Sequence, residues 1–242
     1  MPYRTFTPDE AARYLHLTRA DLDRLVRARD IPFEKRGDRL MFRKVEIDTW
    51  ASRRILGLKG ERLAEYHQKT SHDAYPALPS QAIMPDLIRP DFISPALPAK
   101  TKSSALREMT RLAEKTGRVP DPKGLLASLE AREALLSTGL PGGLALLHPR
   151  YPEPYLFDAP LIVLGRSVQE IPFGAPDGQP TRLFFLIGCT NDVLHLHTLA
   201  RLCLMAQKTS LLDQLRLAAD AEAIYQSIIS AEQAVLPSTP AG

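Results

Sequence analysis

The first sixty residues place apolar side chains at the spacing of short helices. Thr7-Pro8-Asp9-Glu10 opens one of them: threonine can cap, proline suits the first helical position, and the acids favour the positive helix end. Ala11, Ala12 and Leu15 mark its apolar face, and the pattern breaks at His16-Leu17. Thr18 caps a second helix with Leu22, Leu25 and Val26 at helical spacing, and Ile31-Pro32 ends it. Phe33 to Arg43 reads as two short strands turning at Gly37-Asp38. Val45, Ile47 and Trp50 begin a third helix. Leu22, Leu25, Val26, Leu40, Phe42 and Trp50 are the core candidates of this unit.

Residues 70–100 carry six prolines, Pro76, Pro79, Pro85, Pro90, Pro95 and Pro98, among small and polar residues. Proline removes amide donors and stiffens the chain, which predicts an extended linker over 61–100, packed on the next domain at its end. The pattern then predicts helices over 104–116 and 121–136 and a glycine-rich turn from Gly139 to Gly143. A short strand, Leu144–Leu147, follows and ends at His148. Further strands are expected at 160–165 and 181–187, a long helix opening at His195, and more helix over 211–230. Helices alternating with strands predict an α/β layered sandwich with a mixed sheet over 101–235, preceded by a small winged helix-turn-helix unit over 1–60. No internal repeat is visible. The longest apolar runs, Leu161–Gly165 and Leu183–Gly188, are far too short to cross a bilayer. No signal peptide is visible, so a cytoplasmic protein without a membrane partner is expected.

Charge separates the two units. The net charge is +3, but residues 1–69 hold 16 Lys/Arg against 11 Asp/Glu, while 70–242 hold 15 against 17. A basic excess confined to the first quarter fits a polyanion partner there. The second helix carries Arg19, Arg24, Arg27 and Arg29, and the hairpin carries Lys35, Arg36, Arg39 and Arg43. Arginines on such a helix can pair with guanine edges or phosphates in the major groove, and a basic wing can reach the flanking backbone. Arg19, Arg24, Arg27, Lys35, Arg36, Arg39 and Arg43 are therefore the candidate DNA contacts. Asp21 and Asp23 could read a cytosine edge or, more simply, pair with neighbouring arginines. A plain solvated face, or protein binding by the same fold, is the alternative. The stretch from Phe6 to Ser52 resembles the excisionase-type (MerR-like) helix-turn-helix family, over roughly residues 4–56. The resemblance implies binding to double-stranded DNA and allows a homodimer on paired half-sites, although no heptad seam is present.

Cys189 and Cys203 lie in apolar sequence and read as buried free thiols. His148, between Leu147 and Pro149, taken alone reads as structural. The surrounding motifs change that. Glu130-Ala-Arg132-Glu133-Ala-Leu-Leu-Ser137-Thr138-Gly139 followed by Gly143-Leu-Ala-Leu-Leu-His148 resembles the IIA domain of the bacterial phosphotransferase system, of mannitol/fructose or nitrogen-regulatory type. Pro172-Phe173, Asp177-Gly-Gln-Pro180, Leu183-Phe-Phe-Leu186, His195-Leu-His-Thr-Leu199 and Ala223-Ile-Tyr225-Gln226 extend the likeness over roughly 86–232.

The resemblance implies that His148 accepts a phosphoryl group from a phosphohistidine carrier, HPr or its nitrogen-branch paralogue. Arg132 would lie beside that group, and His195 would be the second histidine of the site. Neutral imidazole is nucleophilic near pH 7, and a guanidinium offers paired donors to phosphate oxygens. The family's proline before the active histidine and glycine after it are Leu147 and Pro149 here, and proline has no amide hydrogen to offer a phosphoryl oxygen. Ser137 and Thr138 could orient the site or only cap the turn. His197 reads as a surface or packing residue, and His16, His67 and His72 join no constellation. A metal at His148, His195 and His197 lacks acidic ligands, so neither metal nor cofactor is expected. Three readings follow: a phosphorylation-responsive DNA-binding regulator, a phosphocarrier relaying to a separate IIB component, and a binding-only regulator with a degenerate site.

Overall fold

The computed structural model describes residues 4–74, 82–149 and 155–236. The N-terminal unit is a winged helix-turn-helix. It comprises β1 (Thr5–Phe6), α1 (Pro8–Tyr14), α2 (Arg19–Arg27), β2 (Glu34–Arg36), β3 (Arg39–Arg43) and α3 (Lys44–Gly57). Thr7 and Glu10 form a reciprocal capping box on α1, and the Thr18 side chain accepts the Asp21 N–H at the start of α2. The antiparallel hairpin β2–β3 turns at Gly37, which adopts φ +60°, a conformation that an L side chain would resist. Leu22, Leu25 and Phe42 are buried, and Val26, Leu40 and Trp50 pack against them half-buried.

The C-terminal unit holds a five-stranded mixed sheet in the order β4-β7-β8-β6-β5, formed by Ile93–Leu97, Leu161–Ile171, Thr181–Gly188, Leu144–Leu147 and Gly139–Leu140. β4 runs parallel to β7 and β6 parallel to β8, while β7–β8 and β5–β6 are antiparallel. β6, most of β8 and the first half of β7 are buried without alternation, as expected of strands covered on both faces. Among the described residues, seven further α-helices follow the N-terminal unit: α4 (Gly60–Ala74), α5 (Met84–Leu87), α6 (Lys102–Glu114), α7 (Pro122–Leu135), α8 (Asp192–Lys208), α9 (Leu211–Leu217) and α10 (Ala221–Val235). Among the described residues, no helix is long and apolar enough to cross a membrane.

The extended linker expected over 61–100 is corrected. Residues Gly60–Ala74 form α4, Met84–Leu87 form α5, and Ile93–Leu97 form an edge strand of the sheet. The described prolines occupy positions that tolerate a missing N–H: Pro85 and Pro90 each open a short helical turn, and Pro95 lies in the edge strand. Pro76 and Pro79 fall outside the described residues. Leu63, His67 and Thr70 share one face of α4 and are buried, so a helical stripe was present beneath the proline-rich composition.

That stripe packs on α8, as does α3. At the seam lies a buried polar network. Arg201 of α8 is wholly buried; its Nε donates to His67 Nε2 at 2.6 Å, and its Nη1 donates to Glu232 of α10 at 2.7 Å. Glu232 also accepts the N–H groups of Ile83 (2.8 Å) and Met84 (3.0 Å). His197 lies 3.2 Å from the Thr70 hydroxyl through Nδ1, and its ring stacks on His67 at 4.9 Å. His67, which joins no constellation in the sequence, is thus a structural partner of His197.

Removing one member of such a network leaves a buried charge unpaired. Glu232→Ala is expected to destabilise the fold by about 3–5 kcal/mol, read as a lower denaturant midpoint. A change within the error of a surface substitution would show the network to be dispensable. Burial, reinforced by the nearby Arg201 charge, lowers His67 and His197 to about 3. Both rings stay neutral in the folded chain, while an unfolded histidine takes up a proton below about 6.5. Their stabilising contribution is complete above that value and is lost as pH falls from it toward 3. Unfolding free energy should therefore drop by up to about 2 kcal/mol per histidine between pH 7 and pH 5. The His67→Gln, His197→Gln double variant should show a flatter profile, and a flat wild-type profile would contradict the assignment.

Candidate phosphoryl-acceptor site and candidate DNA-facing surface

Strand β6, which leads to His148, is delivered by a turn at Gly142 and Gly143, whose φ values are +85° and +71°. A Cβ on Gly143 would meet the Pro180 carbonyl oxygen at 3.1 Å, so the turn needs glycine for both conformation and space. At the end of β6 the His148 ring folds back on its own strand, with Nδ1 2.9 Å from the Leu146 carbonyl oxygen. Arg132, in the last turn of α7, donates from Nε to His148 Nε2 at 3.1 Å and from Nη1 to the Leu136 carbonyl at 2.8 Å, closing its own helix end. His195 enters from the first turn of α8, which Asn191 caps through the Leu194 N–H, and its ring centroid lies 5.2 Å from that of His148. The three residues named from the sequence, His148, Arg132 and His195, are therefore brought together.

These contacts fix the chemistry of the ring. A carbonyl can only accept, so Nδ1 of His148 carries the proton; a guanidinium can only donate, so Nε2 presents its lone pair. Burial holds the His148 imidazole well below its ordinary value, the Arg132 and His195 charges act in the same direction, and the Leu146 bond opposes them weakly. The ring is neutral at physiological pH. His148 and Arg132 are each only 2% exposed. The Nη2 group of Arg132 is buried and has no hydrogen-bond partner, a cost unless the group meets an acceptor at some stage of function. Burial lowers the Arg132 proton affinity, Glu133 opposes that, and the charge of Arg53 on α3 adds to the lowering.

Ser137 and Thr138 prove structural. The Ser137 hydroxyl donates to the Phe173 carbonyl, and Thr138 donates through N–H and hydroxyl to Glu133, which also meets Lys102 at 2.8 Å. His197 lies with His67 at the seam, so the trio weighed for a metal is not assembled around it. Cys189 and Cys203 are buried thiols outside any disulfide, and burial pushes Cys203 up to about 12.

On the N-terminal unit, Arg19, Arg24, Arg27, Lys35, Arg36, Arg39 and Arg43 are all exposed. Acids temper four of them. Arg19 pairs with Asp9 (2.7 Å) and Asp23 (3.0 Å), and Arg24 pairs with Asp21 (2.7 Å). Arg36 approaches Glu34 at 3.5 Å, and Arg43 meets Glu34 and Glu46 at 2.6 Å each. Asp21 and Asp23 thus pair with arginines, as their sequence neighbourhood suggests. Among the described residues, Arg27, Lys35 and Arg39 form no ion pair. Sequence reasoning did not single out Arg53, Arg201 or Glu232. The one local hint was the i, i+4 spacing of His197 and Arg201 on α8.

Residues 86–231 match the family described as phosphoenolpyruvate-dependent sugar phosphotransferase system, EIIA 2, and residues 5–55 match a helix-turn-helix domain. A nitrogen regulatory protein of Bradyrhizobium diazoefficiens is 33% identical over 145 residues, covering 58% of this chain and 90% of that protein. The fructose-specific EIIABC component of Bacillus subtilis is 28% identical over 145 residues, covering 59% of this chain and only 22% of that longer protein. The crystal structure of the nitrogen regulatory protein IIA-Ntr from Neisseria meningitidis superposes with a TM-score of 0.55 at 24% identity, covering 61% of this chain and 99% of that one, which shows the shared fold. The chain therefore belongs, through the part that carries His148, Arg132 and His195, to the EIIA 2 family of the phosphoenolpyruvate-dependent sugar phosphotransferase system, with a helix-turn-helix domain ahead of it.

Proposed function

We propose that the protein is a cytoplasmic, phosphorylation-responsive DNA-binding regulator whose His148 accepts a phosphoryl group from a phosphohistidine carrier, HPr or its nitrogen-branch paralogue. The observation that carries this reading is the pairing of a neutral Nε2 lone pair with a guanidinium whose Nη2 is buried and unpartnered. In the transfer, a P–N bond forms at Nε2 as the donor's P–N bond breaks, and the electron pair of the broken bond returns to the donor ring. The proton stays on Nδ1, donated in a hydrogen bond to the Leu146 carbonyl, which eases the charge that the ring acquires. Arg132 supplies donors to the phosphoryl oxygens, and His195 lies within reach of the same group. Pro149 withholds the backbone donor that glycine would give at this position, and Arg132 Nη2 is the group placed to compensate.

The labile P–N bond also suits onward relay to a separate IIB component, the reading favoured by the fructose-specific EIIABC relative. DNA binding distinguishes the two functions.

Incubation with phosphoenolpyruvate, the general phosphotransferase enzyme and the carrier should add one phosphoryl group to the intact mass under non-acidic conditions. His148→Ala should add none. Arg132→Met should lower the transfer rate by about 100-fold or more, the scale at which a lost charge-stabilising donor acts. No carrier-dependent gain on the wild type would remove the acceptor reading and leave a binding-only regulator.

Duplex DNA affinity should fall steeply with salt. Arg27→Ala with Arg39→Ala should lower the slope of log affinity against log salt by about two. A salt-independent or absent interaction would instead make the N-terminal unit a docking module.

A further inference from the structure

Both nitrogens of the His148 ring are held by groups that trace back to one short segment, residues 136–138. Nε2 meets Nε of Arg132 at 3.1 Å, and the same guanidinium is fixed from its other side by the Leu136 carbonyl at 2.8 Å. Nδ1 meets the Leu146 carbonyl at 2.9 Å, and the N–H of Leu146 donates to the Thr138 carbonyl at 3.1 Å. That last bond carries the β5–β6 pairing one step beyond the Gly139–Ala145 partners. The orientation of the ring therefore depends on where residues 136–138 lie as the chain leaves α7 and enters β5. The segment belongs to neither element, so side chains must fix it.

Glu133 does so. It follows Arg132 on α7 and is only 6% exposed. Its carboxylate accepts the Thr138 N–H at 3.0 Å, the Thr138 hydroxyl at 2.6 Å and the ammonium of Lys102 on α6 at 2.8 Å. Lys102 and the Ser137 hydroxyl both donate to the Phe173 carbonyl, at 3.0 and 2.8 Å, which ties the segment to the chain beyond β7 as well. Neighbouring residues on a helix point about 100° apart, so Arg132 reaches the ring directly while Glu133 reaches it through the backbone. Charge-assisted bonds are short and directional, and a buried carboxylate penalises any arrangement that strips it of donors. An apolar side chain at this position would fill the space without specifying where Thr138 lies.

We propose that Glu133 is a positioning residue for phosphoryl transfer: by anchoring Thr138 it sets the Leu146 carbonyl against Nδ1 and the Leu136 carbonyl against Arg132, so that His148 presents an unprotonated Nε2 beside the guanidinium. This rests on the acceptor reading and adds the residue that selects the reactive nitrogen. Glu133 touches no reacting atom and exchanges no proton. The new P–N bond forms at Nε2 as the donor's P–N bond breaks, and the proton remains on Nδ1.

The test uses four full-length chains labelled with ¹⁵N-histidine: wild type, Glu133→Ala, Glu133→Gln and Thr138→Val. Three quantities are read: the nitrogen that holds the His148 proton before phosphorylation, the nitrogen coupled to phosphorus after it, and the kcat and KM of carrier-dependent transfer. The wild type should show one tautomer, with the proton on Nδ1, and phosphorus on Nε2. Glu133→Ala should show both tautomers, carry part of its phosphorus on Nδ1 and transfer about 10- to 100-fold more slowly. Its KM for the carrier should not change, because Glu133 is buried. Glu133→Gln keeps an acceptor for the Thr138 N–H and should recover most of the rate and the single tautomer. Thr138→Val is nearly isosteric and keeps the backbone bond, so it should fold as the wild type does and lose a smaller part of the rate. Glu133→Ala with the wild-type tautomer, linkage and rate would overturn the positioning role and leave the acceptor standing; if that chain does not fold, the same result in Thr138→Val overturns it. Failure of the wild type to take up phosphoryl would overturn the acceptor reading, and this inference with it.

Discussion

Arg201 is a wholly buried cation, and the meeting of three helices is shaped by the need to satisfy it. Its guanidinium bonds His67 on α4 and Glu232 on α10, and Glu232 accepts the backbone N–H groups of Ile83 and Met84 at the start of α5. A buried ion pair adds little net stability against an apolar replacement, but it punishes any arrangement that leaves one partner alone. That penalty makes the packing of α4 on α8 specific. A chain with a proline-rich middle consequently holds its helix-turn-helix unit against the acceptor domain in one register.

α8 joins the two sites physically. Its first turn presents His195 to His148, its middle carries His197 and Arg201 into the seam, and its end holds the α3–α4 turn through Gln207. The helix that carries His195 thus also packs against α3 and α4. The site around His148 sets a buried guanidinium against a neutral imidazole.

Much of this was legible in the sequence, for reasons that differ by region. The helix-turn-helix was legible because its signals are local: caps at Thr7 and Thr18, a glycine turn, and apolar residues at helical spacing. The grouping of Arg132, His148 and His195 was legible only through the order of several motifs, since the three residues lie on three elements and share no spacing. The span 61–100 was misjudged because composition outweighed position. Pro85, Pro90 and Pro95 sit where an N–H is not needed, so they coexist with helical turns and a strand. The His67–Arg201–Glu232 network was invisible because its members converge from distant parts of the chain, and nothing local to His67 announces its partners.

The account stands on Nε2 of His148 being the nucleophile, with the proton held at Nδ1 by the Leu146 carbonyl. Heteronuclear NMR of the chain labelled with ¹⁵N-histidine, before and after carrier-dependent phosphorylation, tests this most directly. The account predicts a neutral His148 with its proton at Nδ1 throughout the physiological range, and after phosphorylation a single histidine Nε2 coupled to phosphorus. A phosphorus coupling at Nδ1, at another histidine, or at none would contradict it.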